Sequence, residues 1–224
     1  MVTHLGLVLD IPPRERNLML VTAGHAPSNT ETPLGDLDEV SGVIDTMLDA
    51  HMPNMAIVVD RQWNLVRTNA AGALFTSLMF PAPPSWIEPP LNIMRLSLHP
   101  EGLRRHMLNW DSTAGALLRR LQRDAQQHPH DDSLQTLLDD VLAYPDVGSL
   151  RSADHGPRPD ELLVPATYVL DGEPVSFFTT IARIGDAHDL TLAELRIETF
   201  WPLDADSSDR WNRLVNTAAS PQAS

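Results

Sequence analysis

The 224-residue chain is 42% hydrophobic and 21% charged, proportions that allow an ordinary globular core. It contains no cysteine, which excludes disulfides, thiolate metal sites and a cysteine nucleophile. Sixteen basic residues stand against 30 acidic ones, a net charge of −14, so the chain lacks the basic footprint that phosphate backbones select. No apolar run approaches the roughly 18 to 20 residues that span a bilayer, and no basic, then apolar, leader opens the chain, which makes the cytoplasm the expected compartment.

Val2 to Leu9 carries apolar residues at helical spacing. Pro12 and Pro13 break it, and Pro13 suits the first turn of a second helix running to Ala23, with Gly24 as its stop. "SNTETPLG", Ser28 to Gly35, reads as a linker. The helix after it bears Leu37, Val40, Ile44, Met47 and Leu48 and ends at Pro53-Asn54. Ala56 to Val59 is a buried strand in expectation, with Trp63 to Thr68 as its hairpin partner; Asn69 caps the next helix, Ala70 to Leu78. The apolar, proline-rich stretch from Phe80 to Pro90 is too stiff for a helix.

Helical segments then follow over Leu91–Leu98, Glu101–Trp110, and from Asp111-Ser112 to His128-Pro129. Another, capped by Asp131, Asp132 or Ser133, shows a stripe of Leu134, Leu137, Leu138, Val141 and Leu142. A polar loop from Leu150 to Asp160 resets the pattern. Three strands are expected beyond it: Glu161–Leu170, Pro174–Ile184 and Leu190–Trp201, the first two joined by the turn dipeptide Asp171-Gly172. Residues 205–224 read as a flexible tail. The elements add up to an α+β fold, a five-stranded antiparallel sheet with a helical block on one face and room for an apolar cavity between them.

No catalytic constellation is present: no G-x-S-x-G, no glycine-rich phosphate loop, no H-E-x-x-H. The chain is therefore not expected to be an enzyme, and neither a metal nor a cofactor is expected. His128 and His130 flank a proline at a helix break and read as solvated loop, and "DADSSD" from Asp204 lacks the glycine and terminal glutamate of a calcium loop. The apolar inventory carries more information. Met55, Ile57 and Val59 share one strand face, and the helical block contributes several methionines, whose side chains adapt to flexible apolar ligands.

"AIVVDRQWNLVRTNAAGALF", then "LNIMRLSLHPEGLRRHMLNW", then "HPHDDSLQTLLDDV" and "VSFFTTIARIGDAHDLTLAELRIETFWP" resemble, in that order, the MmyB-like ligand-binding domain of bacterial transcription regulators. The resemblance covers about residues 36–204. It implies a PAS-like fold, attached in that family to an XRE-type helix-turn-helix. Residues 1–27 are similar to the last two helices of such a DNA-binding domain, with 28–35 as the linker leading out of it; the recognition helix has no counterpart in the chain.

By implication, a small apolar, fatty-acid-like molecule enters the cavity and modulates DNA binding by the attached reader. Met55, Ile57, Phe75, Met94, Leu98, Met107, Trp110, Phe177 and Leu195 are the residues expected to line it. The alternative is an interaction module with the same fold and a filled core, serving as a platform for a homodimer. DNA would be reached only through the helix-turn-helix, and no membrane is expected as a partner.

Overall fold

The computed structural model describes residues 2–9, 11–33, 38–82, 84–151, 163–184 and 189–219; most of the expected polar loop from Leu150 to Asp160 lies outside them. The first helices, α1 (Val2–Val8) and α2 (Pro13–Thr22), fall where expected. Pro13 sits in the first turn of α2, and Gly24 follows its end at φ +78°, a conformation that favours glycine.

After α3 (Asp38–Asp49), strands β1 (Met55–Val59) and β2 (Leu65–Thr68) form the expected antiparallel hairpin. The second strand begins two residues late. Trp63 adopts φ +67° and is fully buried, because its indole is held inside the protein rather than in the ladder. Asp60 closes the turn by accepting from the backbone and side-chain amides of Asn64.

Helix α4 (Ala70–Met79) starts at Asn69, whose side chain serves four backbone groups. Its Oδ1 accepts from Gly72 and Ala56 N–H, and its Nδ2 donates to the carbonyls of Leu48 and Asn54. Asn69→Ala removes the cap and leaves these groups unpaired at a site only 3% exposed. The expected loss, read from the urea midpoint, is about 2–3 kcal/mol. Asn69→Asp keeps the accepting oxygen but sets a carboxylate oxygen against the Leu48 and Asn54 carbonyls, so it should not rescue the loss.

Next come α5 (Ile93–Leu98), α6 (Trp110–Gln127) and α7 (Asp132–Leu142), the last capped by Asp131. The helix expected over Glu101–Trp110 is instead a single 3₁₀ turn, Leu103–His106. Two causes act together. Gly102 lies so close to α5 that a Cβ there would meet the Leu96 carbonyl oxygen at 2.1 Å, and Met107 leaves the helical path to bridge Tyr168. Leu108 N–H then donates to Thr167 O at 2.8 Å, which ties the segment to the sheet edge.

Strands β3 (Ala166–Leu170) and β4 (Glu173–Arg183) meet across Asp171-Gly172, both residues at positive φ as a two-residue hairpin requires. The third expected strand is split. Leu190–Glu194 is a short helix, α8, and only Arg196–Pro202 is strand, β5. Asp189 decides the matter: its carboxylate accepts from Thr191 and Leu192 N–H as an N-cap, and Thr30 and Thr32 bond the other oxygen. Burial raises its pKa, but those hydrogen bonds outweigh it and hold the carboxyl below its ordinary value.

The described residues after Pro202 also depart from the expected flexible tail. Residues Ala205–Ala219 form α9, anchored by fully buried Trp211.

The five strands make one antiparallel sheet in the order β2-β1-β5-β4-β3, an α+β arrangement of PAS-like form with the last strand at its centre. Alternation sorts its two faces. Met55, Ile57 and Val59 join Tyr168, Val175 and Phe177 in the main core beneath α4 to α7. Ala56, Val58, Leu195 and Ile197 face the other way, onto Ile44 and Leu48 of α3. Helices thus cover both faces rather than one.

Candidate functional site

The main core is not filled. Between the sheet and helices α4, α5 and α6 lies a cavity of about 390 Å³, within the range of small-molecule sites. Its floor is built from inward residues of the strands, including Met55, Ile57, Tyr168 and Phe200. Its roof is Phe75 of α4, Ile93 and Leu96 of α5, and Ala116 and Leu117 of α6. Phe75 stands edge-on to Tyr168 with ring centroids 5.0 Å apart. Thr68, Thr76, Arg123 and Leu163 are its exposed lining residues and form a rim.

One end of the cavity is charged. Arg119, Arg120, Arg123 and Glu198 are its ionisable lining besides Tyr168. Glu198 lies in the central strand with a side chain 4% exposed, and Arg120 Nη1 reaches its Oε1 at 3.2 Å. Burial pushes the Glu198 carboxyl above its usual range, against the opposing pull of Arg120 and Arg196. Burial likewise pushes the Tyr168 hydroxyl up, so it enters the cavity as a neutral group.

Beside this pair sits a second. Arg196 pairs with Asp124, donates to the carbonyls of Asp60 and Arg61, and stacks on the Trp63 ring at 3.9 Å. Trp63 Nε1–H donates to the same Asp124 carboxylate at 3.0 Å. Arg120 and Asp124 lie one turn apart on one face of α6, and His128 follows as its C-cap, its ring nitrogen against the Asp124 carbonyl. Opposite them run Glu198 and Arg196, and then Glu194, which binds Arg14 of α2 at 2.7 Å. His128 Nε2 approaches Glu15 of α2 at 3.8 Å. A single line of charged side chains therefore runs from the cavity to the N-terminal helices.

Of the residues the sequence nominated, Met55, Ile57 and Phe75 line the cavity. Met94, Leu98, Met107 and Trp110 are buried in the same core but do not border the void. Trp110 instead carries the Arg104 guanidinium over its ring at 3.8 Å. Phe177 packs against Trp211, and Leu195 lies on the opposite face of the sheet, because the chain enters β5 from α8 and the alternation turns it toward α3. Sequence reasoning passed over Trp63, Leu65, Tyr168, Phe200 and the Arg120–Glu198 pair. One signal was present: a glutamate at the middle of the apolar strand "RIETFW" has to be paired or has to face a void.

A second depression, of about 950 Å³, opens on the surface between the proline-rich segment and α7, with Trp86 stacked on His99 at 3.9 Å. It is broad and lined by polar groups such as Gln62, Asn64, Glu88 and Thr136, so it offers an apolar ligand much less cover. Among the described residues no group of three or more His, Asp or Glu side chains is placed to hold a metal ion, and no helix is long and apolar enough to cross a membrane.

None of the curated proteins matches the chain. The family model for the MmyB-like transcription regulator ligand binding domain matches residues 40–214, which takes in the whole sheet, the roof of the cavity and most of α9. The chain therefore belongs to the MmyB-like transcription regulator ligand-binding domain family, whose members are regulatory rather than enzymatic.

Proposed function

We propose that the cavity beneath α4, α5 and α6 is the sensing site of the regulator and takes a fatty-acid-like molecule. The observation that carries this reading is a mainly apolar cavity of about 390 Å³, open at a rim and with cationic side chains in its lining, in a chain whose net charge is −14. An acyl chain suits the apolar length, and an acidic head suits the arginines. The cavity on this face of the sheet favours the ligand reading over the alternative of a filled core.

The output follows from where the cavity stands. We read α1 and α2 as the end of an XRE-type helix-turn-helix domain, with ligand binding biasing the posture of that domain on DNA. The ties from α2 to the ligand-binding domain, Arg14 to Glu194 and Glu15 to His128, support this reading. A ligand favouring one arrangement shifts the population by its differential affinity.

Denaturing extraction of the purified protein, followed by mass spectrometry against a mock purification, tests the reading. A stoichiometric fatty acid is expected. Ligand at 100 times its Kd should also stabilise the fold by about 2.7 kcal/mol. Ala116→Phe, which places a ring in the cavity roof, should abolish both signals while the protein stays folded. Empty extracts and a flat thermal response across a fatty-acid panel would overturn the reading and leave a dimerisation platform in its place.

A further inference from the structure

We propose that Arg120 is the head-group anchor of the cavity, and that an amphipathic monoanion binds by displacing Glu198 from it, with one proton taken up from solvent by the released carboxylate. The inference rests on the reading of the cavity as a ligand site and adds the chemistry of its charged end.

The first argument is local charge. The chain as a whole repels anions, yet this cavity gathers Arg119, Arg120 and Arg123 against the single carboxylate of Glu198. The second is position. The Arg120 side chain is 29% exposed and that of Glu198 is 4% exposed. Arg120 is thus the more solvent-accessible partner of the pair, open to an entering head group that Glu198 is too buried to meet.

The third argument is what Glu198 would be left with. On α6 it faces Arg120 and Asp124; along its own strand the nearest charge is Arg196. Arg196 is already engaged by Asp124, by two backbone carbonyls and by the Trp63 ring. Arg183 of β4 lies in register with Arg196 rather than with Glu198. The in-register neighbours of Glu198 are Ile57 on β1 and Ile181 on β4, neither of which carries charge. Once an incoming anion holds Arg120, the charges that act on Glu198 among the described residues are Arg196, already shared, and the Asp124 carboxylate, which opposes its ionised form. Two anions competing for one guanidinium in an apolar cavity cannot both stay charged at little cost, and the group buried among apolar neighbours is the one that protonates.

The balance is simple. Before binding, Glu198 is ionised and paired with Arg120; after binding, the ligand anion is paired with Arg120 and Glu198 is a neutral acid. Burial already favours the protonated form in the empty protein, so the cost of that proton is reduced in advance. Affinity for an anion should therefore rise as pH falls from the Glu198 pKa of the filled site toward that of the empty site, by up to about tenfold per pH unit, and level off below it.

Titration calorimetry with decanesulfonate and 1-decanol, from about pH 5.5 to about pH 8 in buffers of different ionisation enthalpy, tests this. The sulfonate stays ionised throughout, so any proton taken up belongs to the protein. The expected result is proton uptake with decanesulfonate, approaching about one proton where the pH lies between the Glu198 pKa values of the empty and filled sites, and none with decanol. E198Q should abolish the uptake and strengthen sulfonate binding by about tenfold or more at the alkaline end. R120Q should erase the preference for the sulfonate and leave decanol binding in place. Sulfonate binding without proton uptake, or uptake that survives E198Q, would overturn the proposal, as would decanol binding where decanesulfonate does not bind; in these cases the sensing reading stands. If neither probe binds, both fall.

Discussion

Trp211→Ala is expected to lower the stability of the domain by about 3–5 kcal/mol, seen as a fall in the urea midpoint at unchanged slope. Trp211 has no exposed surface and meets the edge of Phe177 with centroids 5.5 Å apart. Its Nε1–H donates to the Pro53 carbonyl at 2.8 Å, which fastens α9 to the start of β1. Truncation removes a large apolar volume, opens a cavity against Phe177 and leaves a carbonyl unpaired. Trp211→Phe keeps one aromatic ring but loses the pyrrole part of the indole and its hydrogen bond, so a smaller cost of about 2 kcal/mol is expected for it. The rest of α9 offers little reserve, since its other buried residues are Ser207 and Val215. A loss below about 1 kcal/mol for Trp211→Ala would mean that α9 docks only loosely.

That helix also shows where sequence reasoning stopped. Its apolar residues Trp211, Leu214 and Val215 do recur at helical spacing, but they are diluted among Asp, Ser and Asn, and a dilute stripe looks like a tail until the partner face is known. Features fixed within a few residues were legible. The Asn69 and Asp131 caps, the Asp171-Gly172 turn and the stripe of α7 depend on local geometry alone, and each forms as expected. Leu190–Glu194 misled for the opposite reason: "LTLAEL" suits either a strand or a helix, and Asp189, buried against Thr30 and Thr32 more than 150 positions earlier, selects the helix.

The site was less legible than the fold. Apolar periodicity identifies the buried face of an element, but it cannot distinguish a residue bordering a void from one packed behind it. Met94 and Leu98 are fully buried in the right core and still do not touch the cavity. The charged end was out of reach for a different reason. Arg120 and Glu198 meet across 78 positions, and only the pairing of β5 at the sheet centre brings them together.

Asp124→Ala carries the other large expected effect, a loss of about 3–5 kcal/mol in chemical unfolding. The Asp124 and Arg196 side chains are 15% and 6% exposed, so removing the carboxylate strands a guanidinium that water cannot reach. The Trp63 indole N–H loses its acceptor in the same step. Asp124→Asn restores an acceptor for the indole but no charge for Arg196, and should fall between the two. Replacing both partners, as Asp124→Leu with Arg196→Met, should recover much of the loss, because the penalty comes from an unpaired charge rather than from the absence of the pair itself. Glu198 is a second carboxylate set beside Arg196, two residues away on the same strand face. If Asp124→Ala costs well under 2 kcal/mol, the structural reason would be that Glu198 has turned from Arg120 to Arg196. Asp124→Ala combined with Glu198→Gln would then be destabilising beyond the sum of its parts, and that excess would measure how strongly the charge at the cavity is coupled to the line of ion pairs leading to α2.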